Sequence, residues 1–352
     1  MKKKNIINLI KAYSEKNDFA FRTEAINIAN IFSANGDYQL ANYIMSLITD
    51  ADSFVPQNYE NNYKYLVKVK PSNKSLPLPK SISSDIIGII NAISKNIEMN
   101  KFLFYGAPGT GKTETAKHMS RILNRDLFKV DVELLIDSKL GQTAKNIAEL
   151  FEEINSLVIP SKAIVLFDEL DSLVLDRTND NDVREMGRAT STFLRKLDEM
   201  NPSIVIIATT NLHGQMDKAI IRRFDSMIDF SRYSREDLID LSVIVLESYF
   251  EKIPTLYRDN RLFKKIINCY NVIPYPAELI NIIKTSIAFS DPNDNVDYMK
   301  RILKEAIQEE INSDLLINRG FTLREIEVLT GISKSQLSRI YSNRRWLLCM
   351  NY

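Results

Sequence analysis

The sequence predicts an α/β fold, a doubly wound parallel sheet with helices on both faces, followed by an all-helical C-terminal part. Three observations carry this expectation. From about residue 82, short and almost wholly apolar runs alternate with longer segments of helical periodicity. Strands that are apolar on both faces belong to parallel sheets covered on both sides. A glycine-rich turn joins one of these runs to a helix at 106–113, and from 235 to about 315 the apolar spacing is helical throughout.

In chain order, residues 1–55 place Ile6, Ile7, Leu9 and Ile10, then Ala25, Ile26, Ile28, Ala29, Ile31 and Phe32 at helical spacing. The pattern breaks at Gly36-Asp37 and resumes at 40–47, as expected of an N-terminal helical hairpin or small bundle. Residues 56–81 read as a linker, with Pro56, Pro71, Pro77 and Pro79 among many Asn and Lys, and one strand at 65–69. Within 82–233 the apolar runs place strands at 102–105, 127–132, 164–167, 204–208 and 227–230. Residues 234–318 supply helices at 238–250, 263–269, 277–289 and 298–311, and 319–352 form a last unit.

Composition narrows the function classes. The 352 residues suffice for two or three domains at ~150 residues each. Forty-six Lys+Arg against 45 Asp+Glu leave a net charge of +1, so bulk charge points to neither nucleic acid nor a membrane. Two cysteines (Cys269, Cys349) and two histidines (His118, His213) exclude a disulfide framework and a multi-ligand zinc site. No apolar run approaches the ~20 residues that cross a bilayer. Residues 5–11, after the opening lysines, are too short and too polar for a signal sequence. The expectation is a soluble, cytoplasmic protein.

The strongest motif is Gly106-Ala107-Pro108-Gly109-Thr110-Gly111-Lys112-Thr113, a complete G-x-x-x-x-G-K-T between a strand and a helix that opens at Glu114. Its glycines let consecutive backbone N–H groups turn inward around phosphates, and the helix N-terminus adds a favourable field. Lys112 is expected on the β- and γ-phosphates and the Thr113 hydroxyl on Mg²⁺. Fifty-five residues after Thr113, the run Ile164-Val165-Leu166-Phe167 ends in Asp168-Glu169, two carboxylates at the C-terminal end of a buried strand. Asp168 is expected in the Mg²⁺ shell, and Glu169 is expected to orient and deprotonate the attacking water. ATP and Mg²⁺ are the implied ligands. His118, one turn into the following helix, reads as structural.

These residues resemble the AAA ATPases, over roughly 82–290. Ile204 to Asn211 (Ile-Val-Ile-Ile-Ala-Thr-Thr-Asn) is similar to the sensor-1 strand, which implies Asn211 near the γ-phosphate. Asp217 to Asp225 resembles the second region of homology, and there the resemblance makes Arg222 and Arg223 arginine fingers that reach into a neighbouring copy's site. A finger supplied in trans implies a ring, a homohexamer. Cationic stabilisation of the transferring phosphoryl group supports the assignment on physical grounds. Residues 141–147 and 182–198 also resemble AAA proteins of the remodelling type, the nearest pattern being stand-alone bacterial members, some encoded beside a protease partner. Two departures stand out. Lys139-Leu140-Gly141 replaces the aromatic–hydrophobic–Gly of polypeptide-threading members, and the lid segment 273–279 has no sensor-2 arginine, a position often Ala in this subfamily.

In the last unit, Thr322-Leu323-Arg324-Glu325 and Ser333-Lys334-Ser335-Gln336 are two capping-box patterns separated by Thr330-Gly331-Ile332. Ile326, Leu329, Ile332, Leu337 and Ile340 have the spacing that packs two helices together, similar to a helix-turn-helix of the resolvase or transposase kind. Six basic residues (Arg319, Arg324, Lys334, Arg339, Arg344, Arg345) face two glutamates there. Lys334, Gln336 and Arg339 are the candidates for DNA bases, and Arg344 and Arg345 for the backbone.

The leading reading is therefore a Mg-ATP-hydrolysing AAA ring that remodels or switches a partner protein. The alternative is a DNA-associated, ATP-dependent assembly switch of the transposition or defence type. Glu169 and the arginine pair weigh against a third, an ATP-stabilised scaffold.

Overall fold

The computed structural model describes residues 3–14, 17–34, 37, 40–41, 44, 63–70, 77–95, 97–136, 141–174 and 180–339. Its first part comprises α1 (Lys3–Ser14), α2 (Asp18–Ala34), β1 (Leu66–Val69), α3 (Lys80–Ser94), β2 (Lys101–Tyr105), α4 (Lys112–Ile122) and β3 (Asp126–Val130). Then follow α5 (Gln142–Asn155), β4 (Ala163–Phe167), α6 (Asp171–Val174), α7 (Asp180–Asp198), β5 (Val205–Thr210), α8 (Lys218–Ile221) and β6 (Ser226–Asp229). The C-terminal part adds α9 (Arg235–Phe250), α10 (Asn260–Ile267), α11 (Pro276–Ala288), α12 (Asp297–Ile307), α13 (Ser313–Asn318), α14 (Leu323–Thr330) and α15 (334–339).

The chain divides into two compact units, Met1–Val69 with Asn124–Val165 and Asp176–Ile206, and Lys70–Leu123 with Leu166–Leu175 and Ile207–Tyr352. In the first, α1 packs on α2 and buries Ala12, Ala25, Ile28 and Ala29, and the Asn17 carboxamide accepts the Ala20 N–H to start α2. Its strands run in the order β1-β3-β4-β5. The expected parallel sheet is in fact mixed: β1 pairs antiparallel with β3, Leu66 opposite Val130 and Val69 opposite Leu127. An antiparallel edge strand on an otherwise parallel sheet is common, and here polar anchors fix it. The Glu153 carboxylate accepts the Tyr65 and Leu66 N–H groups, and the buried Tyr65 hydroxyl donates to Glu149 at 2.8 Å. Residues 65–69, read from the sequence within a linker, thus belong to the sheet. Phe151 of α5 meets Phe193 of α7 edge-on at 5.7 Å.

In the second unit the order is β4-β5-β2-β6, with β2 and β6 parallel, Phe102 opposite Ser226 and Tyr105 opposite Asp229. Every residue of β4 and β5 is buried, which explains their uniformly apolar reading. β5 runs two residues beyond the expected end, because Thr209 and Thr210 continue it with buried, β-branched side chains. Helices α9 to α12 share a core around Leu246, Phe263, Ile283, Met299 and Ile302. α12 stops at Ile307 rather than 311, where Gln308 turns left-handed (φ 57°) and Asn312 caps α13. Both capping boxes form: Thr322 with Glu325, and Ser333 with Gln336. Ile326, Leu329 and Leu337 join the same core, and Lys265 of α10 pairs with Glu325 at 2.7 Å. None of the described helices is long and apolar enough to cross a membrane.

Candidate nucleotide site

The site is built at the C-terminal ends of β2, β4 and β5. Between β2 and α4 the chain turns through Gly106 (φ 137°) and Gly109 (φ 76°), conformations that L side chains rarely adopt. Space forbids a side chain at both. A Cβ on Gly106 would lie 2.8 Å from Ser231 Oγ, and one on Gly109 2.9 Å from Ala277 Cβ. The turn is also tied from outside. Ser231 Oγ accepts the Ala107 N–H, the Tyr233 hydroxyl donates to the Thr110 carbonyl at 3.0 Å, and Ala277 N–H donates to the Gly109 carbonyl at 3.0 Å. Burial pushes the Tyr233 hydroxyl up to about 12, so it stays a donor across the working pH range.

Lys112, the first residue of α4, is 7% exposed and donates to the carbonyls of Gly106 and Ala107 and to Asn211 Oδ1, at 2.8, 2.9 and 2.8 Å. Burial lowers its pKa, against the pull of Asp168, Asp171 and Glu169. Phosphate oxygens are stronger acceptors than carbonyls for a desolvated ammonium, so this side chain is suited to the β- and γ-phosphates. Thr113 Oγ1 donates to Asp168 Oδ1 at 2.7 Å. A hydroxyl and a carboxylate held together offer the hard oxygen ligands that Mg²⁺ prefers.

Asp168 is half-buried and Glu169 exposed, both lining a cleft of about 380 Å³ with the 108–115 turn and Asn211. Asn211 donates its N–H to Asp171 at 3.3 Å. Glu114 lines the same cleft and pairs with Lys117 at 2.6 Å. The structure thus gathers residues 108–114 with Asp168, Glu169 and Asn211. It does not bring Arg222 or Arg223 into the cleft: Arg222 is exposed at the end of α8, and half-buried Arg223 donates to the Ala219 carbonyl at 3.2 Å.

Three further residues meet the cleft or its turn: His118, read from the sequence as structural, and Tyr233 and Ala277, which sequence reasoning passed over. His118 lines the cleft beside Arg121, its pKa lowered first by burial and then by that guanidinium. Tyr233 and Ala277 lie more than 120 residues from the glycine turn, and no local pattern announces them. Lys139 and Leu140, aligned by resemblance with a first pore loop, lie outside the described residues, as do Ile340, Arg344 and Arg345.

Residues 102–232 match the model of the ATPase family associated with various cellular activities (AAA). An uncharacterized AAA family ATPase of Sinorhizobium fredii is 38% identical over 133 residues, 38% of this chain and 39% of that protein. A protein of Methanothermobacter thermautotrophicus, named as a homologue of a 26S proteasome regulatory subunit, is 28% identical over 228 residues, 64% of this chain and 55% of that one. The chain therefore spans well under two thirds of these relatives. The crystal structure of the FIGL-1 AAA domain with ADP superposes with a TM-score of 0.52 at 15% identity, covering 73% of this chain and 91% of that one. It shares the fold.

Proposed function

Since residues 102–232 are an AAA family ATPase domain, we propose that the protein hydrolyses Mg-ATP in a ring of its own copies and uses the cycle to remodel or switch a partner protein. One observation supports this most: Lys112, the Thr113–Asp168 pair, Glu169 and Asn211 converge on one cleft. In that reading Lys112 exchanges its carbonyl partners for β- and γ-phosphate oxygens, while the 106–111 turn offers its N–H groups to the same phosphates. Mg²⁺ held by Thr113 and Asp168 supplies neutralisation of charge on the transferring group. Glu169 accepts the proton of the attacking water, and the Asn211 amide orients that water. Arg222 and Arg223, outside the cleft of their own copy, act in the next copy's site as arginine fingers. That role requires a homo-oligomer, a hexamer. A relative named as a proteasome regulatory subunit homologue supports a protein partner, a protease among the options.

Glu169→Gln tests the reading. It should keep ATP binding and lose turnover by roughly 10²- to 10⁴-fold, whereas Lys112→Ala should lose binding too. A Glu169→Gln variant at the wild-type rate refutes the base assignment.

A second reading, ATP-dependent assembly on DNA, is favoured by the outer face of α15. Lys334, Ser335, Gln336, Ser338 and Arg339 are exposed while Leu337 is fully buried. Duplex binding that strengthens with ATP and falls steeply with salt is its expected signature. Arg339→Ala should relax sequence preference. An anisotropy titration at low salt that detects no duplex binding leaves the segment as a protein-docking unit.

A further inference from the structure

Glu169 sits on a backbone that is hard to hold, and one residue of the neighbouring strand holds it. With φ at 57°, Glu169 is one of three non-glycine residues in the left-handed region among those described. Such a conformation persists in a long side chain only where the surroundings over-determine it. Thr209, 1% exposed on β5, bonds to both sides of that residue. Its hydroxyl accepts the Glu169 N–H at 2.9 Å, and its carbonyl accepts the Leu170 N–H at 2.8 Å. The hydroxyl's proton goes to Asp168 Oδ1 at 2.8 Å, the oxygen that also accepts from Thr113 at 2.7 Å. One hydroxyl thus links the side chain of the first carboxylate to the backbone that aims the second.

We propose that Thr209 is a positioning residue for hydrolysis: its hydroxyl, bridging Asp168 Oδ1 and the Glu169 N–H, sets the direction in which the Glu169 carboxylate meets the attacking water. This rests on Glu169 being the base. Without the bridge, the Thr209 carbonyl still holds Leu170, so the loop stays in place while the peptide of Glu169 is free to rotate. Nucleotide binding depends on the 106–113 turn, to which Thr209 makes no direct bond, and Asp168 Oδ1 keeps its bond from Thr113 when the Thr209 hydroxyl is removed. The effect therefore falls on kcat and not on KM.

The pair Thr209→Val and Thr209→Ser tests this, because valine keeps the shape without the hydroxyl and serine keeps the hydroxyl without the methyl. Thr209→Val should lower kcat roughly 10-fold, the effect expected from losing the well-made buried bond to the Glu169 N–H, with KM for ATP and nucleotide affinity within about twofold. Thr209→Ser should restore kcat to within about threefold of wild type. In a Glu169→Gln background, Thr209→Val should change the residual rate by less than about twofold, since a group acting only through Glu169 has nothing left to aim. Nucleotide affinity and Tm of each variant separate aim from misfolding. If wild type does not hydrolyse ATP, or Glu169→Gln hydrolyses it normally, the base assignment falls and this proposal with it. If Glu169→Gln is inactive but Thr209→Val matches wild type, or Thr209→Ser is as slow as Thr209→Val, the positioning role alone is overturned. An equal loss in both backgrounds overturns it too.

Discussion

Gly109→Ala probes the link between the glycine turn and α11. Gly109 has φ of 76°, and a left-handed backbone costs an alanine about 1–2 kcal/mol. The new Cβ would also lie 2.9 Å from Ala277 Cβ at the start of α11, closer than such atoms approach. Relief of that contact displaces either the turn or α11, and stretches the Ala277 N–H to Gly109 carbonyl bond of 3.0 Å, worth about 1 kcal/mol. Together these cost about 2–3 kcal/mol, or roughly 30- to 160-fold in ATP affinity if the turn must be restored to bind. The two parts separate in a double-mutant cycle. Ala277→Gly alone removes a methyl from the first turn of a helix and costs about 0.5–1 kcal/mol of stability. Combined with Gly109→Ala, it removes the clash and leaves the φ strain, since the next nearest atom of Ala277 is its N at 3.7 Å. The cycle should therefore show a favourable coupling of about 1 kcal/mol in affinity measured by calorimetry. Additive losses would mean that α11 does not bear on the turn and would refute the coupling.

Three other outcomes follow from the same geometry. If Arg222 and Arg223 act in trans, mixing Glu169→Gln with Arg223→Ala subunits should recover part of the activity that each lacks alone, and ATP should shift sedimentation toward a ring; full activity of Arg222→Ala and Arg223→Ala refutes the finger role. Glu325→Ala removes the Glu325 half of a capping box and a half-buried ion pair with Lys265, so it should destabilise the C-terminal helices by about 1–2 kcal/mol in chemical denaturation, and an unchanged midpoint refutes the anchoring. Burial raises the Glu325 pKa, but the bonds from Lys265 and Thr322 outweigh it and the net shift is downward. A carboxyl depressed in the folded state contributes above its ordinary pKa, so this stabilisation should hold at neutral pH and fade as pH falls below about 4.3. Glu325→Gln should flatten that part of the stability profile.

What was legible in the sequence is what short-range chemistry dictates. The glycine turn and the Asp168-Glu169 end of β4 were legible because each packs its function into consecutive residues. The strands themselves were legible because burial on both faces leaves no polar alternation. The antiparallel direction of β1 was not, because a four-residue strand carries no sign of its partner; Glu153 and Glu149, more than 80 residues on, decide its place. Thr209 escaped for a related reason. In the sequence it is one of two threonines after an apolar run, and only the approach of β4 turns its hydroxyl into a bridge between two carboxylate-bearing residues.

The same long-range contacts suggest how a nucleotide's state leaves its cleft. Tyr233 and Ala277, flanking α9 and α10 in sequence, both bond to the backbone of the glycine turn rather than to a side chain. A backbone bond is insensitive to the residue carrying it but acutely sensitive to the turn's conformation. Any phosphate that reorients the Gly109 carbonyl must therefore move α11 or break the bond from Ala277, and one that reorients the Thr110 carbonyl must move or break the bond from Tyr233. α11 shares one continuous core with α9, α10 and α12, and that core includes Ile326, Leu329 and Leu337. A packed core shifts as a body rather than deforming residue by residue. α15 is thus seated by Leu337 on the same core that carries α11, whose first turn bonds the Gly109 carbonyl. Under either reading proposed above, a protein partner or DNA, the choice rests on the chemistry of the Lys334–Arg339 face and not on the fold.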